Sequence, residues 1–397
     1  MELTLVTAGE SHGPGITAVI AGLPSGLAID RDALRRDLAR RQAGYGRSPR
    51  QQIEKDDAEI LGGLRHGRTL GGPVALIIRN RDHENWGAAM SAWPVTDDEL
   101  AEVAARRSRP VVLPRPGHAD LGGALKYRHD DIRNVLERAS ARETSARVAA
   151  GAFAKALLAP CEIRVRGRVT QIGDVAAPAD AGDEAAFDRA VESVVGCSDA
   201  AASERMVAAI DRAREDRDTL GGMLEVRVFG APPGLGSYTE PRLRLDARLA
   251  AAALGIQAMK GVEIGDGFAS ASRRGSEVHD ELYHDDARGY HRETNRAGGV
   301  EGGMSNGETI VVRIAMKPIP TLMRPLRSAR LDTHEAADAL VERSDTTAIA
   351  AAAVVAEAVV AFELARCLRE TFGGDHVDDM LAAYRAYLER IPWHPAR

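Results

Sequence analysis

Lysine is nearly missing from this chain: it supplies five of the 52 basic residues, and arginine supplies the rest. Cysteine is almost as scarce. Cys161, Cys197 and Cys367 stand far apart with no CxxC pair, which argues against a disulfide framework or a cysteine-built zinc centre. No long apolar run survives intact. The most hydrophobic stretch, 348–365, is broken by Glu357 and Glu363, and reads as a buried helix rather than a membrane span. The start of the chain has no basic segment leading into an apolar one, so no secretion signal is expected and the cytoplasm is the expected compartment. Excess positive charge is absent too. A net charge of -6 speaks against a general nucleic-acid binder. Finally, no Pro/Ser-rich linker divides the sequence, so one catalytic unit over 1–397 is expected.

What is present is the balance of a globular protein, 44% hydrophobic and 28% charged. Strand-like runs fall at 3–6, 16–23, 73–79, 162–169, 223–229 and 309–316. Helical periodicity is clearest at 30–41, 132–158, 200–214, 243–254 and 346–372. Thr96 with Glu99 forms a capping box that should open a helix through about Arg106. The order does not repeat as βαβ units, so an α+β layered fold is predicted instead of a Rossmann sheet. One internal echo stands out. A strand leads into Gly22-Leu23-Pro24-Ser25-Gly26 and then a helix, and another leads into Gly230-Ala231-Pro232-Pro233-Gly234 and later a helix. That pattern predicts an internal duplication built into one core.

The polar side chains gather in glycine-rich clusters. Gly9-Glu10-Ser11-His12-Gly13 places an acid, a hydroxyl and an imidazole where backbone can approach a ligand closely. Arg41 and Arg47 flank the turn around Gly44 and Gly46, suiting a phosphate or carboxylate; a glycine helix stop with solvated arginines is the plainer alternative. Pro114-Arg115-Pro116-Gly117-His118-Ala119-Asp120 holds a histidine in a stiff frame, as a positioned proton donor requires, although a turn would look the same. Arg138 and Arg142 share a helix face with small residues, including Ala139 and Ser140, between them. Five glycines in 298–307 suggest a loop that contacts a ligand, and Lys317-Pro318-Ile319-Pro320-Thr321 ends the next strand in a rigid basic turn. Asp345, after Arg343-Ser344, stands where an aspartate caps a helix.

Two other patterns fail. Residues 62–69 nearly match a P-loop, but arginine replaces its lysine and a strand follows where the phosphate-binding helix should begin. His279-Asp280, His284-Asp285-Asp286 and His291 offer metal-ligand chemistry at no recognised spacing, so no metal site is expected.

Together the clusters, in this order from Leu3 to Val359, resemble the chorismate synthase family. The resemblance implies a layered β-α-β sandwich, assembled as a homotetramer with flavin sites near subunit contacts. It also implies conversion of 5-enolpyruvylshikimate 3-phosphate to chorismate by 1,4-anti elimination of phosphate, with reduced FMN as cofactor. A metal-dependent phosphohydrolase is the first rival reading, and a non-catalytic anion-binding protein using the arginine loops is the second. By the same resemblance His12 is the acid assisting the departing phosphate, and His118 protonates or stabilises the reduced flavin. Asp345 is the base for the ring hydrogen. Arg41 and Arg47 bind anionic groups of substrate or NADPH. Arg138, Ala139, Ser140, Gln257, Ala258, Gly302, Lys317, Pro318, Ile319, Pro320, Thr321 and Arg343 are implied to contact the flavin. No flavin-reductase domain is visible, which points to an external reductase, with NADPH as the other source of electrons. Neither nucleic acid nor membrane is expected as a partner.

Overall fold

The computed structural model describes residues 2–48, 55–103, 105–180, 182–341 and 345–394. Strands β1 (Thr4–Ala8) and β2 (Gly15–Ala21) are followed by helix α1 (Arg31–Gln42), β3 (Ala58–Gly62) and β4 (Val74–Arg79). Helices α2 (Asp120–Tyr127), α3 (Arg133–Ala139) and α4 (Thr144–Leu158) complete the first half. The second half contains β5 (Arg164–Ile172), β6 (Val175–Ala176), α5 (Ala200–Glu215), β7 (Gly222–Phe229) and α6 (Leu245–Leu254). It continues through β8 (Met259–Ile264) and β9 (Ile310–Met316) to α7 (Ile349–Phe372) and α8 (Val377–Arg390).

Two antiparallel sheets enclose the helices. The first runs β1-β2-β4-β3 and the second β8-β9-β7-β5-β6. Alternation decides which face turns inward. Ile16, Ala18 and Ile20 of β2 pair in register with Ile78, Leu76 and Val74 of β4, and all six are buried. In the second sheet Leu224, Val226 and Val228 pair with Ile314, Val312 and Ile310 in the same way. Helix α4 packs on the first sheet, α7 packs on the second, and α4 and α7 pack on each other. A single apolar cluster therefore runs through all three layers.

The halves share a topology. Strands β1-β2-β4-β3 correspond in sequence order and sheet order to β5-β7-β9-β8, and a helix follows the second strand in each set. The glycine echo falls at equivalent points. Gly22 ends β2 at φ 90° and Gly230 ends β7 at φ 77°. A Cβ would lie 2.2 Å from the Glu2 carbonyl oxygen at Gly22 and 2.4 Å from that of Glu162 at Gly230. Each of those carbonyls lies two residues before the first strand of its half, so the same tight crossing occurs twice.

The predicted elements are present, with three revisions. The run 132–158 is not one helix, because Ser140 is extended (φ −61°, ψ 142°) and its hydroxyl accepts from the Arg142 N–H at 3.2 Å. Local capping outcompetes helix continuation there. The capping box at Thr96 is present, but its helix spans only Asp97–Ala101, and no residue of it is buried to extend it. Asp345 does not cap α7: the N-cap is Ala348, and the Ile349 N–H donates to the Thr347 hydroxyl. No helix among the described residues is long and apolar enough to cross a membrane.

The charges that interrupt 348–365 hold the layers together. Glu357 lies buried in α7, where its carboxylate takes hydrogen bonds from Arg40 of α1 (2.9 and 3.0 Å), Lys155 of α4 and the Gly167 N–H of β5 (2.8 Å). Burial alone would raise its pKa, but Lys155 and then Arg40 hold it at about 2.

Candidate active site

The loop between β1 and β2 presents His12. Gly9 makes the turn possible at φ 108°, where a Cβ would stand 2.2 Å from the Gly15 carbonyl oxygen. Buried Asn80 staples the loop by donating to the carbonyls of Glu10 (3.0 Å) and Gly13 (2.8 Å), while accepting from Arg142 at 2.8 Å. The His12 ring meets the Glu137 carboxylate through Nδ1 at 2.8 and 2.9 Å, and the His12 backbone N–H donates to the same group at 2.9 Å. Trp86 stacks on the imidazole at 4.0 Å, and Asp82 lies 4.0 Å from Nε2. Glu137, Trp86 and Asp82 were not among the residues singled out from sequence. Glu137 stands beside Arg138 in a quoted cluster, but nothing in a sequence shows that its face turns toward His12.

His118 is framed differently. Its Nδ1 lies 2.5 Å from Asp120. Asp120 also accepts from Arg115 through Nε at 2.8 Å and Nη2 at 3.1 Å. Burial would raise the Asp120 pKa, yet hydrogen bonds from His118 and Arg115 carry it well below the ordinary carboxylate range. Asp120 is therefore ionised and only accepts, so Nδ1 of His118 carries its proton.

The rigid turn after β9 joins this neighbourhood. Arg115 donates to the Thr321 hydroxyl at 3.1 Å, and Lys317 donates to the Gly117 carbonyl at 2.8 Å. Burial, then repulsion from Lys260, lowers the Lys317 pKa. The Lys317 N–H donates to the Ala258 carbonyl, and the Ile319 carbonyl accepts from Thr219 at 2.8 Å. Segments 114–120, 257–258 and 317–321 are thus brought together. Arg138 is joined to them through Thr7: it donates to the Thr7 carbonyl and hydroxyl, Thr7 donates to Glu143, and Gln257 donates to Glu143. Ala139 precedes Ser140 at the helix break already described. Gly302 lies elsewhere, in the 300–305 hairpin beside the start of α6, and the space a Cβ would take there is open. Arg343 lies outside the described residues.

Asp345 accepts from the Ser48 N–H at 2.6 Å and pairs with Arg47 at 3.1 Å. The pair borders a cavity of about 170 Å³, also lined by Arg214, Arg217, Thr219 and Met323. Arg41 turns inward. Its guanidinium meets Asp56 at 3.1 Å, Thr144 at 3.0 Å and the Ala141 carbonyl at 3.1 Å, and burial lowers its pKa to about 10. Arg142 grips the other oxygen of Asp56 at 2.5 Å.

The suspected metal ligands serve a local purpose. Asp280 accepts from Thr294 at 2.6 Å and from the N–H groups of Arg296 and Ala297, both at 2.9 Å. Among the described residues no group of three or more His, Cys, Asp or Glu is arranged to hold a metal ion. The P-loop-like stretch forms the hairpin Leu64–Arg65 and Arg68–Thr69, without a helix at its end.

Two histidines with carboxylate-held Nδ1 atoms, an Arg–Asp pair at a cavity and a duplicated three-layer fold define an α+β enzyme suited to proton transfer on a small anionic substrate. The comparisons identify its family. The model of the family described as chorismate synthase matches residues 3–368. A chorismate synthase of Symbiobacterium thermophilum is 56% identical over 391 residues, covering 97% of this chain and 98% of its own. One from Bacillus subtilis is 53% identical over 375 residues, covering 94% and 95%. A crystal structure of chorismate synthase superposes with a TM-score of 0.79 at 38% identity, covering 98% of both chains. The chain belongs to the chorismate synthase family. Its activity is that of a carbon–oxygen lyase of the shikimate pathway, acting on a small molecule with a flavin as cofactor, and nothing favours the phosphohydrolase reading.

Proposed function

We propose that this chain eliminates phosphate from 5-enolpyruvylshikimate 3-phosphate in the 1,4-anti sense, with reduced FMN bound, and that it does so in the cytoplasm as a homotetramer of one-unit chains. The observation that carries the reading is the joint placement of segments 114–120, 257–258 and 317–321, with His118 among them held through Nδ1 by Asp120 as His12 is by Glu137. These residues suit a flavin. The Gln257 side-chain oxygen is buried without a hydrogen-bond partner, and Lys317 supplies a cation at the same wall. Arg138, Ala139, Ser140, Ala258, Pro318–Thr321 and Arg343 complete that contact set. Gly302 lies apart from the rest, which suits a contact made across a subunit boundary. When bound, the reduced flavin supplies electron density that weakens the allylic C–O bond.

His12 presents Nε2 and gives the departing phosphate a proton. His118 holds its Nδ1 proton toward Asp120 and offers Nε2 to the reduced flavin. Asp345, at the cavity with Arg47, takes the ring hydrogen. Arg47, with Arg214 and Arg217 around the cavity, neutralises carboxylate or phosphate, while the guanidinium of Arg41, the other arginine assigned to anions, is paired with Asp56. NADPH wants the same arginines, so the electron source is tested directly. FMN and substrate are mixed with the protein without oxygen, adding NADPH in one arm and photoreduced FMN in the other. Product in the second arm alone supports dependence on an external reductase. Equal rates in both would overturn that part of the reading.

A further inference from the structure

We infer that Glu137 is a positioning residue that fixes which nitrogen of His12 carries the exchangeable proton and keeps the imidazolium form available. This rests on the reading of His12 as the proton donor. The contacts of Glu137 are specific. It is buried, it accepts from both the backbone N–H and Nδ1 of His12, and its own carbonyl accepts from the Ser11 N–H at 3.1 Å. A carboxylate that receives Nδ1–H leaves Nε2 as the atom that gains and loses a proton. Trp86 covers one ring face, with the Arg107 and Arg133 guanidinium groups each 5.1 Å from its indole, so the ring has little freedom to flip.

The two histidines differ in how far their carboxylates are neutralised. Asp120 accepts two side-chain hydrogen bonds from Arg115, which offset the charge His118 would feel. Among the described residues the arginine paired with Glu137 is Arg133, whose guanidinium lies at 3.9 Å, too far for a hydrogen bond. Its charge is therefore directed at His12. The other groups facing His12 are Asp82 at 4.0 Å from Nε2 and His83, whose Nδ1 meets the His12 carbonyl at 2.9 Å, with Glu10 on the same loop. The carboxylates of Glu137 and Asp82 are the charged groups that face the ring nitrogens, while the Arg107 and Arg133 guanidinium groups lie against Trp86.

The test is the pH profile of turnover by Glu137→Gln, which keeps an acceptor for Nδ1–H and removes the charge. An acid must be protonated to act, so its rate falls as pH rises through its pKa. The substitution should move that alkaline limb down by about 1–3 pH units, the usual effect of one adjacent charge, with the rate recovering at low pH. A limb that stays in place, or a loss equal at every pH, would overturn the inference. Should the variant fail to fold, ¹⁵N-histidine spectra of the unmodified protein decide the same point. The His12 signals, assigned by their loss in His12→Gln, should show the proton on Nδ1; a neutral ring with its proton on Nε2 would overturn it. Wild-type turnover by His12→Gln would refute the acid role itself, while leaving the tautomer result to stand or fall separately.

Discussion

At position 12 the loop, the staple from Asn80 and the Glu137 contact all converge on one imidazole. Replacing it with alanine should slow turnover by about 10²–10⁴, the range for a lost general acid. A near-normal steady-state rate would remove His12 from the chemistry. Asp345 has a second duty, since it also holds Arg47 and the Ser48 N–H. Asp345→Asn, which can keep the bond to Ser48, is therefore the informative change. It should bind reduced FMN as tightly as the unmodified protein, measured by anaerobic fluorescence titration, while losing most turnover. Lost binding would make Asp345 an anchor of the site and not its base. The clusters around His12 and His118 were legible because glycine and proline punctuate them. Their carboxylate partners were only partly so. Asp120 stands two residues from His118 and was quoted with it, whereas Glu137 reaches His12 across 125 positions.

At the scale of elements, Gly22 and Gly230 do the same work in each half of the fold. Gly22→Ala and Gly230→Ala should each lower stability by about 1–3 kcal/mol in urea unfolding, since both need a strained backbone and a displaced carbonyl. An unchanged midpoint at either position would contradict the crossing described there. The sequence made the strands and most helices readable through their periodicity, and it placed both glycine turns. It did not show that Ser140 would break 132–158, because capping by a serine hydroxyl depends on where the next element packs. Nor did it show Asp345 turned from α7 toward Arg47, a contact spanning 298 positions that helix-start statistics cannot anticipate. Glu357 appeared in the sequence only as an interruption of an apolar run. In the fold it joins three helices and a strand. Glu357→Gln would leave Arg40 and Lys155, both partly buried, with Asp37 as their remaining shared counter-charge. It should cost about 1.5–3 kcal/mol, the worth of a hydrogen bond to a charged group, read from the same unfolding curves.

For the molecule as a whole, the buried carboxylates set the response to acid. The Glu357 pKa falls from an ordinary 4.5 to about 2 in the fold, so its contribution is complete above about pH 4.5 and is lost as pH falls toward 2. Asp120 acts in the same direction. Thermal unfolding should therefore hold steady from pH 7 to 5 and decline between 4.5 and 2, with Glu357→Gln declining less; equal declines in both proteins would contradict this source. The duplicated sheets and the helical layer between them make one scaffold whose loops carry His12 and His118, each held through Nδ1 by a buried carboxylate. The most direct test supplies 5-enolpyruvylshikimate 3-phosphate and dithionite-reduced FMN without oxygen and counts both products. Chorismate and phosphate should appear one for one, and neither should form when the flavin is oxidised. Phosphate released without chorismate would contradict the account.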